Sequence, residues 1–174
     1  MCSYKLQPDL VLGQPVLGIT LDLIEQHRLK GLVLDVDETL VPMRESETTE
    51  EVQAWFAKLQ DQIPIWLVSN NLNESRIRRI AESLSAPYIM GAGKPSRRKL
   101  RRATEAMELP VEQIAMVGDR LFTDVLAGNR LGMFTILVEP MVTPMGKPGK
   151  YLVRSTEVWL SKILGVTLHS QQNN

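Results

Sequence analysis

Short apolar runs and longer amphipathic stretches take turns along this chain, the pattern of strands joined by helices. Residues 31–34 (Gly-Leu-Val-Leu), Pro64–Val68, Ile114–Val117 and Phe134–Val138 have the length and composition of strands buried on both faces. After the first of them, Val52, Trp55, Phe56 and Leu59 fall at i, i+3, i+4 and i+7, one face of a helix that Thr49 can cap. Ile77, Ile80, Ala81 and Leu84 repeat that spacing on the next helix. A short strand near Tyr88–Met90 leads to a turn at Lys94, and Pro95 suits the first turn of a helix running to about Met107. A further helix covers residues 121–130. Upstream, Pro8, Gly13, Pro15 and Gly18 make residues 1–18 irregular, and Thr20 caps a short helix to Gln26 that buries Leu21, Leu23 and Ile24. Short strands joined by helices imply right-handed crossovers. The expected fold is therefore α/β: a three-layer, Rossmann-like parallel sheet of about five strands, helices on both faces.

The polar residues that matter stand where these elements end. The first run stops at Asp35-Val36-Asp37-Glu38-Thr39, the second at Ser69-Asn70-Asn71, and the third at Gly118-Asp119, with Asp124 five residues on. Lys94 lies in the glycine-rich turn Gly91-Ala92-Gly93-Lys94-Pro95. Two acids one residue apart repel each other, so a divalent cation or a proton-transfer role would account for them. Taken alone, Asp37 and Thr39 could equally be turn formers after the strand. All four groups, however, can converge on one edge of one sheet, where open α/β sheets bind ligands. Phosphoryl transfer needs such a set. A carboxylate attacks phosphorus only if anion repulsion is cancelled, by a metal on oxygen ligands on one side and an ammonium on the other. A second carboxylate can protonate the leaving oxygen and then activate water.

Asp-x-Asp-x-Thr after a strand, then Ser69, then Lys94, then Gly-Asp-x-x-x-x-Asp resembles the four ordered motifs of the haloacid dehalogenase (HAD) superfamily of phosphatases, over residues 30–138. The resemblance implies Asp35 as nucleophile and Asp37 as general acid/base. Ser69 and Lys94 would hold the transferring phosphoryl group. The cofactor would be Mg²⁺, with Asp35, Asp37 (through its backbone carbonyl), Asp119 and Asp124 as its ligand set, Asp124 either directly or from behind. Thr39, Asn70 and Arg44 are the further substrate-binding candidates; Met43 and Arg44 follow the first motif, where a leaving group would lie. Related phosphoryl-transfer ATPases carry Thr at the Asp37 position, so an acid there favours hydrolysis.

At 174 residues, the expectation is one domain over 1–174. It comprises an N-terminal extension and short helix (1–30), a motif-bearing core (31–138), and an apolar loop with an amphipathic helix (139–174). Lys plus Arg number 20 and Asp plus Glu number 20, so net charge points to no partner and nucleic acid is not expected. One cysteine, Cys2, excludes an internal disulfide or a cysteine-rich zinc site. His27 and His169 read as surface residues without a role. No stretch is long enough to cross a bilayer and no signal peptide is evident, so a cytoplasmic protein, peripheral at most, is expected.

Asp35 and Ser69 are 34 positions apart (69 − 35) and Ser69 and Lys94 are 25 (94 − 69), filled by one helix and one strand each. Neither interval has room for the lid domain that many of these phosphatases insert. An unlidded site suits a large or anchored substrate, or closure by a second subunit in an oligomer. Lys94, Arg97, Arg98, Lys99, Arg101 and Arg102 place six cations in nine residues without an acid, and Arg76, Arg78 and Arg79 add three. Such a patch is usually a solvated helix face; alternatively it rests on anionic lipid. The apolar loop Pro140–Met145 and an amphipathic helix over 155–164 (Val158, Trp159, Ile163, Leu164) fit an interface or the core equally.

The Leu-x-Pro segment near the N-terminus, Leu-Asp-Val-Asp-Glu-Thr-Leu-Val, Ser-Asn-Asn and Ala-Gly-Lys-Pro are similar to the capless IIIA-type YqeG family, itself similar to mitochondrial phosphatidylglycerophosphate phosphatases. That resemblance implies lipid phosphate monoester hydrolysis. The alternatives are a phosphatase of a soluble sugar phosphate or nucleotide and, in another class, a phosphoacceptor signalling module. Asp37 speaks against the last, since a general base beside the phosphoryl group would shorten its life.

Overall fold

The computed structural model describes residues 5–141. Its elements run β1 (Leu10–Val11), α1 (Leu21–Gln26), β2 (Gly31–Leu34), α2 (Glu50–Gln60), β3 (Ile65–Val68), α3 (Glu74–Ser83), β4 (Tyr88–Ile89), α4 (Arg98–Ala106), β5 (Ile114–Gly118), α5 (Leu126–Leu131) and β6 (Phe134–Leu137). The strands form one sheet in the order β1-β6-β5-β2-β3-β4, parallel at every pairing. The chain winds outward from β2 in one direction through β3 and β4 and in the other through β5 and β6, so β2 and β5 flank the switch point where such sheets open a crevice.

Strand period and helix period meet in two cores. Leu32 and Leu34 of β2, Leu67 of β3 and Val117 of β5 face Val52, Phe56 and Leu59 of α2 and Ile77 and Ile80 of α3. Val33, Val68 and Met116 point the other way, against Leu100 and Ala103 of α4 and Ala127 of α5. Alternate residues of one strand thus bury on opposite faces, which requires helices on both. Thr20 and Thr49 cap α1 and α2 by accepting from Leu23 N and Val52 N, both at 3.2 Å, as their positions predict. Between β2 and β3 there is only a loop and α2, and between β3 and β4 only α3. No cap is inserted.

The sheet has six strands rather than about five. The extra one, β1, lies in the stretch expected to be irregular; two residues carry no periodicity, and the strand exists only through its partner. Leu10 and Val11 pair with Ile136 and Leu137, and Asp9 Oδ2 accepts from Thr135 N (2.7 Å) and Thr135 Oγ1 (2.9 Å). α4 begins at Arg98 rather than at Pro95, which follows a cis peptide bond from Lys94 within the preceding turn. The helix expected over 121–130 is split: Leu121–Val125 is a π-helical turn, with Val125 N donating to Arg120 O (3.2 Å), before α5 continues. His27, expected on the surface, is half-buried against Phe134, with ring centroids 4.9 Å apart. Cys2, the apolar loop beyond Met141, the amphipathic helix over 155–164 and His169 lie outside the described residues.

Candidate active site

The C-terminal ends of β2, β3 and β5 bring the motif residues to one place. Asp35 continues β2, its amide donating to Val117 O of β5 (2.9 Å), which fixes the carboxylate at the switch point. Lys94 arrives from the turn after β4. Its ammonium is buried and donates to Asp35 Oδ1 (2.6 Å) and to Val68 O at the end of β3 (2.8 Å). Asp124 Oδ1 lies 2.7 Å from the same nitrogen, a charge contact that is not aligned as a hydrogen bond. One cation therefore stands between two carboxylates from distant segments.

Asp119, just past β5, completes a carboxylate triad: oxygen atoms of Asp35, Asp119 and Asp124 all lie within 4.8 Å of one another. Asp119 Oδ1 is buried with no hydrogen-bond partner among the described residues. An orphaned acceptor among three crowded carboxylates fits a hard divalent cation with oxygen ligands. The π-helical turn aims Asp124 inward, where its Oδ2 accepts from Arg120 N (3.2 Å). That approach requires Gly118, since a Cβ there would stand 2.3 Å from Asp124 Oδ2.

Crowding sets the electrostatics. Burial pushes the Asp35 carboxyl from its ordinary 3.8 up to about 7; Lys94 pulls it down, and the Asp124 and Asp37 charges add to the rise. Burial pushes Asp119 up to about 8, reinforced by Asp124 and Asp35 and opposed by Arg120. Burial works against the Lys94 ammonium, but Asp124 and Asp35 beside it outweigh that and raise its pKa.

Asp37 is turned towards a separate set of donors. Its Oδ2 accepts from Ser69 Oγ (2.9 Å), and its Oδ1 from Asn71 Nδ2 (3.2 Å) and Arg76 Nη1 (2.5 Å). Its carboxylate is not part of the metal-ligand cluster. Ser69, expected to face the phosphoryl group, is fully buried and meets the site through Asp37, while accepting from Asn71 N. Asn70 clasps the Lys94 backbone from both sides: its Nδ2 donates to Lys94 O (3.0 Å) and its Oδ1 accepts from Lys94 N (2.7 Å).

A cleft of about 180 Å³ opens over these groups, lined by Asp35, Asp37, Met43, Asn70, Asn71, Lys94, Arg120 and Thr123. Of the substrate-binding candidates, Ser69, Thr39 and Arg44 stand outside its lining, as do Asp119 and Asp124 of the metal set. Thr39 is fully buried, and Arg44 points to solvent while its neighbour Met43 takes the wall. Of the two loop residues expected beside a leaving group only Met43 lies there, because which side chain of an irregular loop turns inward leaves no trace in the sequence. Sequence reasoning missed Arg120, a cation of the cleft wall, although it stands between Asp119 and Asp124. It also missed Glu38, buried and left-handed (φ 65°), whose Oε1 accepts from Met43 N (2.8 Å) and folds that loop over.

The basic run is not one patch. Lys94 and Arg76 are buried against acids. Arg78 and Arg79 lie near Glu82 and Glu47, Arg97 reaches Arg130 O, and Lys99 reaches Met90 O. Arg98, Arg101 and Arg102 remain exposed on α4. Among the described residues, no helix is long and apolar enough to cross a membrane.

Several known proteins are similar to this chain. A HAD-hydrolase-like family model matches residues 91–143. The probable phosphatase YqeG of Bacillus subtilis (strain 168) is 38% identical over 132 residues, 75% of this chain and 76% of that protein. The chloroplastic phosphatidylglycerophosphate phosphatase 1 of Chlamydomonas reinhardtii is 39% identical over 62 residues, 34% of this chain and 23% of that protein. The fold is shared with a HAD family enzyme of Bacteroides thetaiotaomicron whose structure is a magnesium complex (TM-score 0.52, 11% identity, 72% of this chain and 98% of that chain).

Proposed function

The chain belongs to the HAD-like hydrolases, in the family of the probable phosphatase YqeG, and on that footing we propose a Mg²⁺-dependent phosphomonoesterase whose nucleophile is Asp35. The observation that carries this reading is the position of the Lys94 ammonium, 2.6 Å from Asp35 Oδ1 and 2.7 Å from Asp124 Oδ1. A bare carboxylate would repel an incoming phosphate. Here a fixed cation beside the attacking oxygen offsets that repulsion where charge builds up.

In this scheme an Asp35 oxygen forms the new bond to phosphorus while the ester P–O bond breaks. Asp37 gives its proton to the departing alkoxide. Asp37, now ionised, takes a proton from water, whose oxygen displaces the Asp35 carboxylate from phosphorus and yields inorganic phosphate. Asp35, Asp119 and Asp124 would hold Mg²⁺, which when bound supplies positive charge that favours the ionised carboxylates and draws charge from the phosphoryl oxygens. Lys94 orients the phosphoryl group, and Asn70 holds Lys94 in place.

The proposed substrate is a lipid-linked phosphate monoester, phosphatidylglycerophosphate first among them. Three features support it. The cleft of about 180 Å³ falls below the ~300–1,000 Å³ usual for sites that engulf a small molecule. It accepts a phosphoryl group and leaves the rest of the substrate outside. The two exposed large apolar side chains among the described residues are both at this end of the sheet: Met43 (40% exposed) in the cleft wall and Leu72 (78%) next to Asn71. Arg98, Arg101 and Arg102 would face an anionic surface, and the similarity to the Chlamydomonas enzyme points the same way.

The test is phosphate release from phosphatidylglycerophosphate in mixed micelles beside a panel of soluble phosphoesters, with Asp35→Asn as control. Higher kcat/KM on the micellar lipid is expected. Preference for a soluble ester would move the substrate to the sugar phosphates or nucleotides, and activity retained in Asp35→Asn would end the nucleophile assignment.

A further inference from the structure

α3 carries one residue that its amphipathic pattern does not explain. Ile77, Ile80 and Ala81 face the core, and Arg78, Arg79 and Glu82 face solvent, but Arg76 is an arginine only 8% exposed. Burying a guanidinium is costly unless its donors are met, so a buried one needs a reason. Arg76 places Nη1 on Asp37 Oδ1 (2.5 Å), Nε on Glu45 O (2.7 Å) and Nη2 on Pro42 O (3.2 Å). One planar group thus ties α3 to Asp37 and to both ends of the 42–45 loop that carries Met43. A lysine could not do this, because its single nitrogen cannot reach three acceptors in fork geometry.

Asp37 holds its place through side-chain donors from three residues: Ser69, Asn71 and Arg76. Ser69 and Asn71 belong to the segment immediately after β3, beside the cleft. Arg76 alone reaches in from a helix body, and alone also grips the loop over the cleft mouth. We infer that Arg76 is a positioning residue that aims the Asp37 carboxylate at the leaving-group oxygen. This rests on the proposed role of Asp37 and extends it to a residue away from the reacting atoms.

Proton donation to the leaving group gives a readout that general loosening of the fold would not. 4-Nitrophenyl phosphate releases a weakly basic phenolate that departs without a proton, whereas phenyl phosphate releases a much more basic one. kcat/KM covers only steps up to the first departure, so it isolates this event. Asp37→Asn comes first, and is expected to lose far more kcat/KM on phenyl than on 4-nitrophenyl phosphate. If it loses equally on both, the role of Asp37 is wrong. With that established, Arg76→Gln and Arg76→Lys should follow the same pattern: up to about 100-fold loss on phenyl phosphate, in the range of a general acid, with less than about 10-fold on 4-nitrophenyl phosphate. Arg76→Lys, keeping the charge but not the fork, should retain no more than partial activity on the phenyl ester. Equal losses on both esters, a gain on phenyl phosphate, or the failure of both variants to fold would make Arg76 structural and overturn the inference.

Discussion

The Lys94 ammonium and the Asp35 carboxylate form a buried ion pair at 2.6 Å, joining the turn after β4 to the end of β2. Breaking such a pair by removing one partner leaves the other charge buried and alone, at a cost of ~3–5 kcal/mol. Lys94→Met is therefore expected to lower Tm as well as to abolish phosphatase turnover. Asp35→Asn should abolish turnover and leave Tm close to wild type, because the amide still accepts from Lys94. Thermal denaturation of both variants in EDTA checks the contrast, and equal Tm losses would count against it.

Metal and pH are expected to be coupled in stability. Asp35 and Asp119 have folded pKa values raised to about 7 and about 8, above the 3.8 of an exposed aspartate. The folded state then binds these protons more tightly than the unfolded state. Their contribution is full below about pH 4 and is lost as pH rises through 7 to 8. The metal-free protein should melt progressively lower over that interval. Mg²⁺, which binds the ionised carboxylates, should raise Tm more at pH 8 than at pH 5. Melting curves with EDTA or Mg²⁺ across this range measure it; an identical Mg²⁺ shift at both pH values would exclude these ligands.

Gly118→Ala should damage the site more than the fold. The added methyl meets Asp124 at 2.3–2.6 Å and forces that carboxylate away from Lys94 and Asp119. Overpacking of this kind costs ~1–3 kcal/mol. Half-saturation for Mg²⁺, read from activity, should rise by at least tenfold while the far-UV circular dichroism stays native. An unchanged Mg²⁺ dependence would place Asp124 outside the metal's reach.

Leu72→Ser and Met43→Ser address substrate class. If these side chains meet the apolar part of an anchored substrate, each loses ~1–2 kcal/mol of burial, or five- to thirtyfold in kcat/KM, on micellar lipid. On 4-nitrophenyl phosphate, Leu72→Ser should be unchanged. Equal effects on both substrates would remove the apolar rim from the account of specificity.

Much of this architecture is written locally. Strands β2, β3 and β5 announce themselves because each is buried on both faces and so uniformly apolar, and α2 and α3 because their buried residues keep helical spacing. Asp35, Lys94, Asp119 and Asp124 could be gathered in advance because parallel strands all deliver their ends to one edge. What the sequence did not carry is which way a polar side chain turns once there. Ser69 turned to Asp37 instead of the cleft, of Met43 and Arg44 only Met43 took the wall, and Arg76 left the basic run for an acid of the cleft wall. Each outcome is decided by neighbours far along the chain. β1 is invisible for the same reason, since its two residues become a strand only beside β6.

The order of the strands also governs when this protein can begin to act during synthesis. Asp35 emerges early, but its backbone amide and its acidic companions wait for β5, more than 80 residues downstream by Val117. β1 waits longer still, for Ile136 and Leu137. A chain halted on the ribosome after the Lys94 turn would hold Asp35 and Lys94 with no Asp119 or Asp124 beside them. Competence to cleave a phosphate ester is thereby tied to synthesis beyond β5, and products truncated before Asp119 should be inert.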